Sequence, residues 1–434
     1  MRVGGRPKVL VIAEAANPEW VSVPLVGWSL ASALRQVADV HLVTQQRNHD
    51  AIARAGWVAG RDFTTIDNEA VAGPMWKLVD RLRGDSGVGW TLVTAMAVPS
   101  YYWFEQLVWR RFADELRAGA WDIVHRVTPL SPTTPSLIAS RLRKLSIPFV
   151  VGPLNGGVPW PREFAEARRQ EKEWLSYVRN AYRLLPGHRS MRDAAAGIIV
   201  GSRATREQLG ERWLAKTVYI PENATKSLDL EAGESQPPSP PLRVIFVGRL
   251  VPYKGADMLI AAAADLVRAG KLRVEIVGDG PQRASLEKQA ADLGLGSGIA
   301  FTGWLDHAKV AERLRQAHVL GFPSIREFGG GVVIEAMAAG VVPLVVDYAG
   351  PSELVTPTTG ILVPLGPRQA IVAAFRTELE RLAENDGERK AMARSGRERI
   401  ARWFTWERKA EQVSAVYAWV LGRASKPDFG VPFP

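Results

Sequence analysis

Cysteine is absent from the chain, which excludes disulfides, thiolate zinc sites and a cysteine nucleophile, and fits a reducing compartment. Histidine is scarce: the six residues, at positions 41, 49, 125, 188, 307 and 318, are scattered and form no His-Glu-x-x-His arrangement. No Asp-x-Asp pair of the kind that holds a divalent ion beside phosphates occurs, so no metal and no cofactor is expected. No strand-like run leads into G-x-G-x-x-G, because "GDGPQR" (278–283) lacks the last glycine, and no G-x-x-x-x-G-K-[ST] loop is present. A nicotinamide oxidoreductase is therefore disfavoured. Long apolar runs are missing as well. The longest uncharged run, Ser86 to Phe104, is interrupted by Gly89 and Pro99 and is expected to be a buried or interfacial helix, not a membrane span. Near the N-terminus the apolar run Val9 to Ala13 stops at Glu14, too short for a signal peptide or anchor.

What is present is a chain of 434 residues, too long for one hydrophobic core, so two domains with a cleft between them are expected. Hydrophobic residues at 47% and charged residues at 23% describe a folded globular protein and not a disordered one. Lys plus Arg exceed Asp plus Glu by 55 to 45, so the surface attracts anions: nucleotides, phospholipid head groups or nucleic acid. No zinc, basic-zipper or aromatic RNA-binding signature accompanies that charge, and nucleic acid is not expected as a partner.

Strand-like "PKVLVIAEA" is followed by a helix near Leu25 to Arg35 and a second strand at 39–44, and the rhythm returns in "WDIVHRVTP", "IPFVVGPLNGG" and "AGIIVGSRATREQL". Residues 221–241 lose periodicity and gather Pro, Ser, Glu and Gly, the composition of an interdomain linker. A second series then begins with "LRVIFVGRL" and ends at "VVPLVVD". Alternation of this kind predicts an α/β fold with two doubly wound, Rossmann-like domains, over 1–220 and 242–405, facing each other across a cleft. Ligands of such sheets bind outside the carboxyl ends of the strands, where the second domain carries its unusual segments.

Two glutamates, Glu327 and Glu335, flank Gly329, Gly330 and Gly331. Glycines let backbone N–H groups approach a ligand, and the first N–H groups of a helix lack internal partners, so the run reads either as a tight turn or as an anion seat. Arg249 and Lys254 leave the end of the domain's first strand and converge on the same sheet edge, as a solvated basic loop or as phosphate ligands. Taken together they describe a diphosphate site, with cations and helix N–H groups neutralising a leaving group. Glu335, about one turn inside its helix, suits a ribose diol, and Glu327, before the glycines, suits the transferred sugar. A glycosidase pair is the rival, but hydrolases need no diphosphate pocket.

The spacing Glu327 to Glu335 resembles the paired glutamates of glycosyltransferase family 4, the retaining GT-B class, and so do "VIFVGRLVPYKGADMLIAAAADL" (244–266), "VEIVGDGPQRASLEKQAADLGL" (274–295), "FTGWLDHAKVAERLRQAHVLGFPS" (301–324) and "EAMAAGVVPLVVDYAGPSELV" (335–355). The resemblance spans the second half. It implies that Arg249 and Lys254 hold a diphosphate, Glu335 the ribose, and Glu327 with the Gly329–Gly331 backbone the donor sugar, with Glu327, Arg249 and Lys254 serving catalysis. The implied donor is a UDP- or GDP-linked sugar and the implied acceptor a glycan or a lipid-linked molecule, without metal. The helix 406–421 is implied to pack back across the first domain, as the start of a C-terminal unit over 406–434. The family order Glu, Gly, Phe, Gly is here Glu, Phe, Gly, Gly.

The first half is less similar. Val127 stands where the family has a histidine two residues after His125. His125, Asn155, Gly156 and Gly157 are candidates on the acceptor side of the cleft, and Gly27, in the first loop, is a candidate near the phosphates. A cytoplasmic protein is expected; Trp103, Phe104, Trp109, Arg110, Arg111 and Phe112, with the charged segment 162–185, read as a helix with an aromatic core face or as a surface for anionic lipid, in which case the protein is also peripheral on the inner face of a membrane. Competing functions are a catalytically silent nucleotide-sugar binder of the same fold, an epimerase and a phosphorylase.

Overall fold

The computed structural model describes residues 5–71, 73, 90–165, 181–226 and 239–434. The uncharged run 86–104, the charged segment 162–185 and the linker expected over 221–241 each fall partly outside the described residues.

Apolar runs without polar alternation form strands covered on both faces, which is the condition for a parallel sheet. In β1 (Lys8–Ala13) every residue from Val9 to Ala13 is fully buried. With β2 (Asp39–Gln45), β3 (Phe63–Ile66), β4 (Ile123–Thr128), β5 (Phe149–Leu154), β6 (Gly197–Val200) and β7 (Thr217–Tyr219) it makes a sheet of order β3-β2-β1-β4-β5-β6-β7, all neighbours parallel. The second sheet contains β8 (Leu242–Val247), β9 (Leu272–Val277), β10 (Ile299–Gly303), β11 (Val319–Phe322), β12 (Val342–Asp347) and β13 (Ile361–Pro364) in the order β10-β9-β8-β11-β12-β13, again parallel throughout. The two Rossmann-like domains read from the sequence are both present.

Chain order reverses between β1 and β4 in the first sheet and between β8 and β11 in the second. At such a switch point the adjacent loops leave in opposite directions and open a crevice at the carboxyl edge. In the second domain those loops are 248–255 and 323–330, which carry Arg249, Lys254 and Glu327.

Strand alternation splits the first sheet's contacts. Leu10, Ile12 and Val124 face helix α2 (Trp90–Arg117), whose Tyr101, Phe104, Val108, Phe112 and Leu116 recur every three or four residues and are buried. That spacing makes residues 98–104 of the uncharged run part of a core helix. No described helix is long and apolar enough to cross a membrane. Val9, Val11 and Ala13 face α1 (Val23–Leu34) and α4 (Trp406–Val420), which returns Val413, Val416 and Tyr417 to this core. Each such buried side chain contributes about 1.5–3 kcal/mol, so the final helix is held firmly to the first domain.

The chain crosses between domains twice, and the crossings pair. Thr225 donates its N–H to the Phe404 carbonyl at 2.9 Å, and Trp406 donates to the Thr225 carbonyl at 3.1 Å. Glu222 and Thr225, inside the stretch expected to be linker, are buried. The stretch expected to be linker therefore starts as packed chain, and its residues 227–238 lie outside the described residues.

Candidate functional site

The second domain's two switch-point loops are fastened to each other. Ile325 donates its N–H to the Tyr253 carbonyl at 2.9 Å, and the Ser324 hydroxyl donates to the same oxygen at 3.2 Å. Gly255 sits at φ 76°, and a Cβ there would lie 2.4 Å from the Pro323 carbonyl oxygen, so only glycine lets these backbones touch. The consequence is that Lys254 Nζ and Glu327 Oε2 form an ion pair. Both side chains are only 17% exposed, so the pair is screened less than a surface bridge.

Beyond Glu327 the chain turns through Gly330 in the left-handed region, φ 59°, and enters α3 (Gly331–Ala338). The N–H groups of Gly329, Gly331 and Val332 have no partner among the described residues, and they stand at the positive end of the helix dipole. Glu335 is the fifth residue of α3 and is half-buried. Arg249 is exposed in the neighbouring loop, and its guanidinium makes no ion pair or hydrogen bond to any described residue. The structure therefore brings Arg249, Lys254, Glu327 and the three glycines to one sheet edge. Among the described residues no group of three or more His, Cys, Asp or Glu could hold a metal ion.

Opposite lies the loop after β5. Gly156 and Gly157 adopt φ 147° and 71°. Thr205 donates to the Gly156 carbonyl at 3.2 Å and Gln208 Nε2 to the Gly157 carbonyl at 2.8 Å, so the helix Arg203–Leu209 fixes this loop. Ser202 caps that helix through the Thr205 N–H, as the sequence predicts. Further contacts close the domains on each other: the Tyr348 hydroxyl donates to the Pro159 carbonyl at 2.8 Å, Trp160 meets Tyr253 edge-on at 5.9 Å, and Arg326 stacks on Trp160 at 4.8 Å. Glu353 accepts from the Arg203 N–H at 3.0 and 2.9 Å and from the Tyr219 hydroxyl at 2.9 Å.

Three expectations need correction. Gly27 lies within α1, not in the first loop; a Cβ there would stand 2.1 Å from the Ala15 carbonyl oxygen, so the helix packs closely on the loop after β1 at this position. Asn155 spends its side chain inside the protein, donating to Glu222 Oε1 at 2.6 Å and accepting from the Ser202 hydroxyl at 2.8 Å. His125 does not face the cleft. Strand alternation puts it with Ile123 and Val127 on the α4 side, where Nδ1 meets the Tyr417 hydroxyl and Nε2 the Gly152 carbonyl, both at 2.7 Å.

Burial also pushes the His125 pKa down to about 4 from an ordinary 6.5. Between those values the unfolded chain binds a proton that the folded chain does not, so this contribution to stability is complete above about pH 6.5 and is lost as pH falls toward 4. We expect His125→Gln to unfold at lower urea than wild type at pH 7, by about 1–3 kcal/mol for the lost hydrogen bonds, and the gap to narrow at pH 5. A gap of constant size would show that His125 is not held neutral.

Sequence reasoning missed Glu222, Asn223, Trp160, Arg326, Tyr253 and Glu353. Glu222 is 5% exposed; burial raises its carboxyl to about 7, and the Asn155 hydrogen bond opposes the rise. Lys409, at the start of α4, is also buried and is lowered to about 7 by burial, with Glu222 opposing. The available signal was the polar pair "EN" directly after the apolar run ending at Pro221, at a strand's carboxyl end.

Residues 229–399 match the family model described as glycosyl transferases group 1. The chain is 34% identical over 179 residues to a 2-deoxystreptamine glucosyltransferase of Streptomyces kanamyceticus, covering 41% of this chain and 46% of that one. It is 35% identical over 179 residues to a GDP-mannose-dependent alpha-(1-6)-phosphatidylinositol dimannoside mannosyltransferase of Mycobacterium tuberculosis, covering 40% and 44%. The matched part thus spans about half the length of these curated relatives. Among solved structures, a glycosyltransferase from Rickettsia africae superposes with a TM-score of 0.65 over 96% of this chain and 100% of that one at 14% identity, a likeness of fold. The chain has the GT-B architecture, and the stretch that holds Arg249, Lys254, Glu327 and Glu335 is the one that matches the glycosyl transferases group 1 model.

Proposed function

We propose that this protein is a retaining glycosyltransferase of family 4, moving a sugar from a UDP- or GDP-linked donor to a glycan or lipid-linked acceptor without a metal ion. The observation that carries the reading is the convergence of Arg249, the Lys254–Glu327 pair and the unpartnered N–H groups at the entry to α3, at the switch point of the second sheet. A diphosphate leaving group gains negative charge as its bond to the sugar breaks, and cations with fixed N–H dipoles stabilise that charge most where solvent is excluded. The donor occupies the second domain and the acceptor enters from the side of Gly156 and Gly157. The leaving phosphate oxygen takes the acceptor's proton on the face from which the acceptor attacks, which accounts for a cleft in which His125 is out of reach.

The basic and aromatic side of α2 supports a lipid-linked acceptor and a cytoplasmic, membrane-peripheral location. Trp109 lies between Arg117 and Arg141, 5.9 and 5.1 Å from its ring centre, and Arg110 lies 5.4 Å from Trp103. Such rings and cations suit an anionic surface. The silent-binder reading requires the same nucleotide affinity without turnover.

Calorimetric titration with UDP, GDP and ADP in EDTA tests the donor site. Micromolar affinity for one of the three is expected; absence of binding by all three overturns the reading. Release of that nucleotide from its sugar conjugate then separates an enzyme from a silent binder.

A further inference from the structure

The first crossing between the domains does more than connect them. Glu222 lies between two glycines of different domains: a Cβ on Gly201 would stand 2.4 Å from its Oε2, and one on Gly329 would stand 2.0 Å from its Oε1. Oε1 accepts the Asn155 hydrogen bond, and buried Oε2 has no partner among the described residues. The carboxylate therefore fills the side-chain space of both glycines and sets the distance between the loop after β5 and the loop that enters α3.

Asn223 is next in the chain and points to the same place. Its Nδ2 would lie 2.3 Å from a Cβ on Gly329 and 3.6 Å from one on Gly331. The side chain is half-exposed, and its amide makes no hydrogen bond to a described residue. A carboxamide brings two N–H donors. Here they stand beside the unpartnered N–H groups of Gly329, Gly331 and Val332, at the start of an eight-residue helix.

We propose that Asn223 is a ligand of the donor's diphosphate, donating from Nδ2 to a phosphate oxygen seated at the α3 N-terminus, and that Glu222 is the positioning residue that holds the crossover against Gly329. The proposal rests on the donor-site reading and adds to it a contact supplied by the hinge. Neither Arg249 nor Lys254 belongs to the crossover, whereas Asn223 does. Its hydrogen bond to the phosphate forms only when the crossover is seated on the second domain, so donor binding and interdomain geometry are linked through one amide. Glu222 acts through Asn223 and Gly329 and touches no substrate atom.

The test is calorimetry on the full chain with whichever of UDP, GDP and ADP the wild type binds, and with the matching nucleoside monophosphate. Asn223→Ala is expected to weaken the diphosphate about ten- to a hundred-fold, the range for one hydrogen bond to a charged group. Asn223→Asp, which keeps the shape but sets a carboxylate against the phosphate, is expected to weaken it further. The nucleoside monophosphate loses less. Glu222→Ala is expected to weaken diphosphate binding and Glu222→Gln, which keeps an acceptor oxygen for Asn155 and fills the same space, to restore most of it. Wild-type affinity in Asn223→Asp overturns the Asn223 assignment. A Glu222→Ala variant with a lowered melting temperature and an unchanged Kd shows a role in stability only and overturns the positioning role. A wild type that binds none of the three nucleotides overturns the donor reading itself, an outcome separate from the other two.

Discussion

Glu327→Ala is expected to slow release of nucleoside diphosphate from the sugar donor by about 10²–10³-fold, the range for deleting one pre-organised electrostatic contact, while affinity for the bare nucleoside diphosphate stays unchanged or tightens. Two forces act on the variant. The reacting sugar loses a carboxylate placed to stabilise positive charge at its anomeric centre, a contact that strengthens only in the transition state. At the same time Lys254 loses the partner that now neutralises it, and its full charge becomes available to the phosphates. Binding and turnover should therefore separate. Glu335→Ala is the control for that separation: Glu335, half-buried in α3, is proposed to hold the ribose, and a contact made equally in ground and transition states loses nucleotide affinity when removed. Rates measured at saturating donor, with Kd measured in parallel, decide the matter; equal losses of affinity in both variants would refute the division of labour between the two glutamates.

Much of this site was legible in the sequence because its chemistry is concentrated in short loops with fixed neighbours. Arg249 and Lys254 follow β8 and Glu327 follows β11, and the apolar runs that precede them can only be strands buried on both faces. Once those strands are placed side by side in a parallel sheet, their carboxyl-end loops must meet. The ion pair between Lys254 and Glu327 was not legible, since it depends on Gly255 packing against the Pro323 carbonyl, a contact between backbones 68 residues apart in the chain.

The first domain was read less well for a physical reason. Its candidate residues were chosen by residue type, and type does not reveal which face of a strand a side chain takes. His125 follows the period-two alternation of β4 and lands with Val11 and Val127 against α4. Gly27 was read from resemblance as a first-loop residue near the phosphates, whereas it lies within α1 against the Ala15 carbonyl. Asn155 was placed correctly at a strand's end, yet its partner Glu222 lies 67 residues later, in a stretch whose average composition resembles a linker. Local composition averages out a single buried carboxylate.

Arg249→Ala is expected to weaken UDP or GDP binding by about a hundred-fold and to leave the nucleoside without phosphates unaffected. Arg249 is the cation of this site with no ion-pair partner among the described residues, so its five donors are uncommitted, and a guanidinium meets two phosphate oxygens at once. Lys254 differs. Its ammonium is already held by Glu327, so a diphosphate must compete for it, and Lys254→Ala removes a charge whose field was partly cancelled. The losses should therefore be unequal, with Arg249→Ala the larger. Arg249→Lys should recover only part of the affinity, because a point charge cannot reproduce the fork. The double variant Lys254→Ala with Glu327→Ala should bind the nucleotide less well than the sum of the two single effects predicts, because the gain from releasing Lys254 vanishes once Lys254 is absent, the non-additivity expected of residues in contact. Calorimetry of the wild type and the five variants, Glu327→Ala included, against the same nucleotide reads all of this. Retained affinity in Arg249→Ala removes the guanidinium from the phosphate, and strict additivity in the double variant removes the ion pair from the working site.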